Sequence, residues 1–457
     1  MSSPLLLPQD TITRIKNQGA NLITDEQNGS RKVSLSLVSA SASRSSSASL
    51  VDETYISIPV RLESASTFEF LCYTAEKAKQ IFDTLVLKQQ ETHTTLNIDG
   101  YATAHATSIC DKAQDSTDDW FTVMKEAGIK DEIQTALMKK EHERIRRTCT
   151  LSRWIEVIIE TNYLALVELN ARILCELGEP AELPLRGGGE DEYTIPQMPG
   201  GHLAIFKSVE YSRASGCISE DGSMDLGRLE SSGPTDFARR GGLYFTHQLW
   251  VARHYSALIH DACPVSDRRT VEIHVPLAHL DKVKTWDLKP DEDDSKRLLY
   301  FSRRDERYPK DISQKRAAHG VIQGAIAHTH NLAFAKMSSW QEVTEKHILM
   351  EDDEDGAPLK IAKQYVWIKE GAIEQLEEDC VGKVYLRLPE YGFRKVAQPW
   401  DDMSSKSKAA LELIDTINPT ISMDTTAEDQ IALMNQKSKE LPGEQNSQIA
   451  EEKNDSA

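Results

Sequence analysis

Four features of this chain could do chemistry by residue type and spacing. The pairs Arg239-Arg240 and Arg303-Arg304 carry guanidinium forks that could grip a pyrophosphate or an acidic partner, although surface placement is the plainer reading. His319, His328 and His330 invite comparison with a metal set, but their spacing fits no zinc pattern. Gly187-Gly188-Gly189 has the composition of a phosphate loop, yet no Lys-Ser/Thr follows it, and the acids Glu190-Asp191-Glu192 would repel phosphate. Residues 234–255, PTDFARRGGLYFTHQLWVARHY, look most like a built site. Gly241 and Gly242 permit a sharp turn and close backbone approach. Leu243-Tyr244-Phe245-Thr246 then reads as a short strand, and a helix is expected to begin at Thr246 and carry Leu249, Ala252, Arg253 and Tyr255.

The elements that would position these residues follow from periodicity. Residues 1–50 are Ser-rich and aperiodic, which predicts a disordered tail. In 53–62, Ile56, Ile58, Val60 and Leu62 alternate as in a strand, and Pro59 confines it to a sheet edge because it cannot donate to a ladder. From about residue 66 apolar residues recur at three and four, predicting helices through 147. The strongest helix is expected over 150–178, capped by Thr150 or Ser152 and stopped by Gly178 and Pro180. Residues 181–200 read as a linker. Strands are expected at 203–207, 270–276, 298–301, 319–328, 365–368 and 383–388, with an acidic helix at 371–380 and an acidic loop at 351–356. Residues 401–457 are polar and predicted to be disordered. The fold class is therefore α+β: a helical domain over 51–180, a linker, and a mixed-sheet domain over 201–400, between disordered termini.

Composition narrows the function classes. The chain has 457 residues, is 39% hydrophobic and carries a net charge of -19, which argues against a general binder of nucleic acid or anionic membrane. No run of 18 apolar residues suggests a span, and Leu5-Leu6-Leu7 is too short for a secretory core. The seven cysteines are dispersed, odd in number and never in a C-x-x-C pair, which predicts free thiols in a reducing compartment, cytoplasmic or nuclear.

Residues 234–255 resemble the ADP-ribosyltransferase fold, in which a core strand reads Gly-x-Leu/Ile-Tyr-Phe/Leu-Thr/Ala before a helix with Ala and Tyr at fixed offsets. Gly241, Leu243, Tyr244, Phe245, Thr246, Ala252 and Tyr255 match. Over 202–330 the chain also looks like a group of uncharacterised fungal proteins, through Ile273-x-Val275-Pro276, Tyr300-Phe301 with Arg303-Arg304, and Ile322-x-Gly324-x-Ile326. The resemblance covers less than a third of the chain. It implies a nucleotide pocket, with NAD as the cofactor, built from Lys207, Gly242, Tyr244, Thr246 and Tyr255. Tyr244 takes the aromatic position that stacks on nicotinamide, its bland alternative being a core tyrosine. Lys207 stands where the family has a His or Arg, and can bind phosphate as a point charge without the Arg fork. Arg297 stands where the fungal relatives have a Glu, and a cation there would oppose an oxocarbenium ion. Glu272 and Glu306 lie nearby in sequence. The expected function is binding of a nucleotide or a protein by a degenerate transferase-like domain. The alternatives are an active NAD-consuming transferase or glycohydrolase with its carboxylate elsewhere, and a non-catalytic scaffold.

Overall fold

The computed structural model describes residues 5–19, 21–38, 55–112, 120–178, 195–219, 224–231, 233–351 and 360–387, all within one compact unit, Met1–Tyr391. The expectations for the serine run at 39–50, the linker glycines 187–189, the acidic loop at 352–356 and the tail 401–457 lie outside these residues. What is described is a mixed helix-and-sheet fold. Strands β1 (Ser30–Ser34) and β2 (Tyr55–Pro59) form a two-stranded antiparallel pair, so Pro59 does lie on an edge strand.

The other strands are β3 (His202–Glu210), β4 (Leu243–Phe245), β5 (Arg268–Pro276), β6 (Thr285–Asp287), β7 (Val321–Ala325), β8 (Lys363–Trp367) and β9 (Val384–Arg387). They make two sheets, ordered β3-β5-β9 and β4-β8-β7-β6. β3 pairs with β5 from His202 to Glu210 along one edge. Its other edge is bridged to the second sheet at Phe206 and Thr246, where Phe206 N–H donates to Thr246 O at 2.6 Å and Thr246 N–H returns to Phe206 O at 3.0 Å. Gly324 on β7 sits under the ring of Phe237, where an added Cβ would come within 2.6 Å of Cζ. That is the close approach its place in an apolar strand suggested.

Three departures from the sequence expectations have physical causes. Residues 298–301 are not a strand but lie in the helix Asp293–Arg303. A four-residue apolar run is ambiguous by itself; Ser295, Leu298, Leu299 and Ser302 are buried at helical spacing, and Asp293 and Asp294 at one end and Arg303 at the other complement the dipole. The helix expected over 150–178 runs as Leu151–Val167 and Leu169–Glu176, interrupted only at Glu168, which keeps helical φ -86 and ψ -9, and Thr150 Oγ1 accepts the cap bond from Arg153 N–H. The tail expected over 1–50 is not wholly disordered. It contains the helix Gln9–Gln18, and Ile12, Ile15, Val33, Leu37 and Val38 bury against Leu166, Leu169 and Ile173. The apolar residues there are too sparse to show a period, and the surface they cover is supplied from more than 100 positions away along the chain.

The helices of 65–167 do not close a core of their own. Their cluster, around Phe68, Trp120, Trp154 and Ile158, takes in Val251, Leu258, Ile259 and Ala262 from the helix Leu249–Ala262. Arg172 ties the same regions together by donating to Val265 O at 2.8 Å and to Val38 O. The two domains expected on either side of 181–200 therefore share one interior. No helix of the described residues is long and apolar enough to cross a membrane.

Ile15 is fully buried in the N-terminal segment. Truncating it in Ile15→Ala is expected to cost about 2–5 kcal/mol of stability by urea denaturation, the usual price of an aliphatic core cavity. A loss below about 0.5 kcal/mol would mean that the segment is not part of the folded core.

Candidate functional site

A cavity of about 1050 Å³ opens beside β3, where the two sheets part. Its walls come from β3 (Phe206 to Glu210), β4 (Tyr244), the helix Leu249–Ala262 (Tyr255) and the helix Leu151–Val167 (Trp154, Glu160). Backbone geometry explains the opening. β3 and β4 are held at the Phe206–Thr246 bridge, and past it the free edge of β3 faces the cavity.

Lys207, Tyr244, Thr246 and Tyr255, all expected at the site, line this cavity. Gly242, also expected there, does not. It pairs with Ser231 through Ser231 N–H to Gly242 O at 3.0 Å and Gly242 N–H to Ser231 O at 3.2 Å. A Cβ on Gly242 would meet Val366 Cγ1 at 3.1 Å and Trp367 O at 3.3 Å. Its small size serves strand packing, and Gly241 makes the turn with φ 107. Gly242 thus acts on the site through Ser231.

Thr246 and Tyr255 serve structure as well. Thr246 Oγ1 donates to Lys363 O at 2.7 Å and accepts from Gln248 N–H at 3.1 Å, so the chain is still extended at Thr246 and the helix starts at Leu249 instead. Tyr255 Oη donates to Thr148 Oγ1 at 3.0 Å, and its ring lies 6.2 Å from that of Trp154. Tyr244 is half-buried, with its hydroxyl bonded to Thr235 Oγ1 and accepting Phe237 N–H at 3.2 Å. Burial pushes the Tyr244 and Tyr255 phenols above their ordinary range.

Lys207 is the unusual member. On β3, Leu203, Ile205 and Val209 share its face and pack into the apolar cluster between the sheets, so a cation occupies a register position that alternation assigns to an apolar side chain. Its Nζ donates to Ser231 Oγ at 3.1 Å and to Tyr244 O at 3.3 Å. No carboxylate among the described residues pairs with it. Glu210 is committed elsewhere, accepting from Arg268 at 2.5 Å and Thr161 Oγ1 at 3.0 Å and lying 3.8 Å from Arg213. Burial, then Arg213 and Arg268, hold the Lys207 amine down to about 7 against the partial pull of Glu210.

Sequence reasoning missed Asp236 and Arg303 as a pair. Both are buried on the cavity wall. Asp236 Oδ1 accepts from Arg303 Nε at 2.6 Å, and Oδ2 accepts from Gln364 Nε2 at 2.5 Å and Ala327 N–H at 3.0 Å. Arg303 also donates to Asn331 Oδ1 at 2.9 Å and Thr148 O at 3.1 Å. Although burial opposes its charge, Asp236 holds the Arg303 guanidinium above its ordinary value. The signal in sequence was Asp-Phe just before the glycines, but nothing there named the partner.

Other expected contributors fall away from the cavity or are already engaged. Arg297 pairs with Asp311 at 2.6 and 2.9 Å, Glu272 bonds His274 at 2.8 Å and Arg387, and Glu306 bonds Arg304 at 2.7 Å. Arg239 is held by Asp305 at 2.9 Å. Arg240 is exposed, in line with a surface reading, whereas Arg303 is not a surface residue at all. His319 stacks on Trp286, and His319, His328 and His330 bring no common set of ligand atoms together among the described residues. Comparisons with protein-family models, curated proteins and solved structures return no match for this chain.

Asp236→Asn leaves the buried Arg303 without its counter-ion. A loss of about 3–5 kcal/mol in urea denaturation is expected, and a loss below about 1 kcal/mol would show that the guanidinium is solvated. Lys207 sets a different dependence. Its amine titrates near 7 in the folded chain, against 10.5 ordinarily, so between these values the unfolded chain holds the extra proton. Its burial therefore costs stability fully below about 7, and the cost fades as pH rises toward 10.5. Thermal melts at stepped pH should show wild type gaining on Lys207→Met across that window. Parallel curves would contradict the depressed amine.

Proposed function

We propose that this cavity binds a nucleotide, with NAD or a related ADP-ribose compound as first candidate, and that it does so without transferring ADP-ribose. The observation that carries the reading is the placement of Lys207: a cation without a carboxylate partner, on a cavity wall beside the Tyr244 carbonyl. Arg213 and Arg268 lie close enough to Lys207 to act on its amine, so this stretch of a wall that also carries acids brings three cations near one another. Such a group of cations suits a pyrophosphate, and the aromatic residues Phe206, Tyr244 and Trp154 on the lining suit a base. The cavity is at the upper end of the size of small-molecule sites.

The buried carboxylates of this wall are committed to other partners, which supports binding over transfer. Asp236 is bonded by Arg303, Gln364 and Ala327, and Glu210 by Arg268 and Thr161, so neither is free to steady an oxocarbenium ion. One observation favours a second reading, NAD hydrolysis: Glu160 lines the same cavity with its carboxyl raised by burial and by the nearby charge of Glu210.

Calorimetric titration of NAD and ADP-ribose into the full chain tests this. An anion beside Lys207 favours the protonated amine, so affinity should fall as pH rises through about 7. Lys207→Ala should weaken binding about tenfold or more, the loss of one charge-assisted contact. Absence of saturable binding at millimolar ligand would end the nucleotide reading. Nicotinamide release that disappears in Glu160→Gln would replace binding with hydrolysis.

A further inference from the structure

Lys207 has a second consequence, which rests on the reading that the cavity takes up an anionic ligand. Its Nζ is held by two neutral oxygens, Ser231 Oγ and Tyr244 O, at the cavity wall. Both are carried by residues whose backbone is fixed: Ser231 by its paired bonds to Gly242, Tyr244 by its register opposite Val366 on β8. The charges that act on the amine come from three elements. Glu210 lies on β3, Arg268 on β5 and Arg213 on the short helix Tyr211–Ser215, and the two arginines share the carboxylate. A lysine kept for structure is normally paired or extended into water. This one is aimed and anchored, but not neutralised.

We propose that Lys207 is a nucleophilic amine that forms a reversible imine with an aldehyde or ketone on an anionic, phosphate-bearing ligand in this cavity. The lone pair of neutral Nζ attacks the carbonyl carbon, forming the C–N bond while the C=O π pair moves to oxygen. A proton passes from nitrogen to that oxygen, for which the Ser231 hydroxyl at 3.1 Å is the placed relay, giving a carbinolamine. The nitrogen lone pair then forms the C=N bond as the C–O pair leaves with oxygen, and the remaining N–H proton passes to that oxygen, which departs as water. Addition of water reverses every step, and no oxidant or reductant takes part. The chemistry needs the neutral amine, which burial beside two arginines makes abundant near pH 7. Arg213 and Arg268 stand beside it to favour the ligand's anionic group.

The probe is pyridoxal 5′-phosphate, an anionic aldehyde, added to the full chain and trapped with cyanoborohydride. Intact mass and peptide mapping then read the adduct. Lys207 should label at least about tenfold faster than any other lysine, with a rate that rises through pH 7 and levels above it, because an ordinary lysine is almost wholly protonated there. Lys207→Met should lose that adduct while still unfolding in one cooperative melt. The wild-type pH profile is decisive even if the variant does not fold. Labelling scattered over surface lysines, or a midpoint near 10.5 at Lys207, would overturn the proposal. Protection by NAD separates the two readings. Lys207 labelling that NAD blocks supports both. Lys207 labelling that NAD does not block keeps the amine and removes the nucleotide. NAD binding seen by calorimetry with no labelling of Lys207 removes only the amine.

Discussion

The candidate site depends on the limited pairing of one strand. β3 is paired from end to end with β5 on one edge, and on the other is bridged to β4 at Phe206–Thr246. Had β4 continued alongside β3, its residues would have filled the space that Lys207 now borders. Because the sheets part there, the edge of β3 from Lys207 to Glu210 faces a cavity. The bridge also sets where β4 ends, and hence where the helix Leu249–Ala262 begins and which of its residues, Tyr255 among them, form the opposite wall. Thr246 bonds to Lys363 and Gln248 at the same place, so the junction is secured from both sides.

The buried Asp236–Arg303 pair and the half-buried Lys207 on this wall have opposite electrostatic fates. Asp236 receives bonds from Arg303, Gln364 and the Ala327 backbone, and Arg303 reaches on to Asn331 and Thr148. The pair is desolvated but compensated, and it cross-links the loop before β4, the helix Asp293–Arg303 and the end of β7. Lys207 is desolvated with only neutral acceptors, and its amine shifts toward neutrality. A protein gains no stability from such a lysine at neutral pH, which makes it the part of the wall that stability alone would not have chosen.

The cavity is also a product of shared packing. One wall comes from the helix Leu151–Val167 and another from the helix Leu249–Ala262, and the two bury their apolar faces in one cluster. The second half of the chain taken alone would expose Val251, Leu258 and Ile259 and lose Trp154 and Glu160 from the site. For this reason the full chain is the functional unit to study.

Much of the fold was legible in the sequence because it follows from local period. The strands at 203–207, 270–276 and 365–368, the helix at 371–380, the Thr150 cap and the glycine turn at Gly241 are all set by neighbours within a few residues. Lys207, named through the family resemblance, is also marked by local period, since it interrupts Leu203, Ile205 and Val209 on one face of a strand. Long-range packing decided the rest. It made a helix of Leu298–Phe301, gave Ile12 and Ile15 a surface to bury against, moved Gly242 from the cavity to a packing role, and joined Asp236 to Arg303. The sequence by itself determined where elements and an out-of-place lysine lie, because alternation and helical period are properties of neighbours along the chain. Only the tertiary structure decided which charges are neutralised and which are left open, because pairing, desolvation and cavity shape depend on residues that meet only after folding.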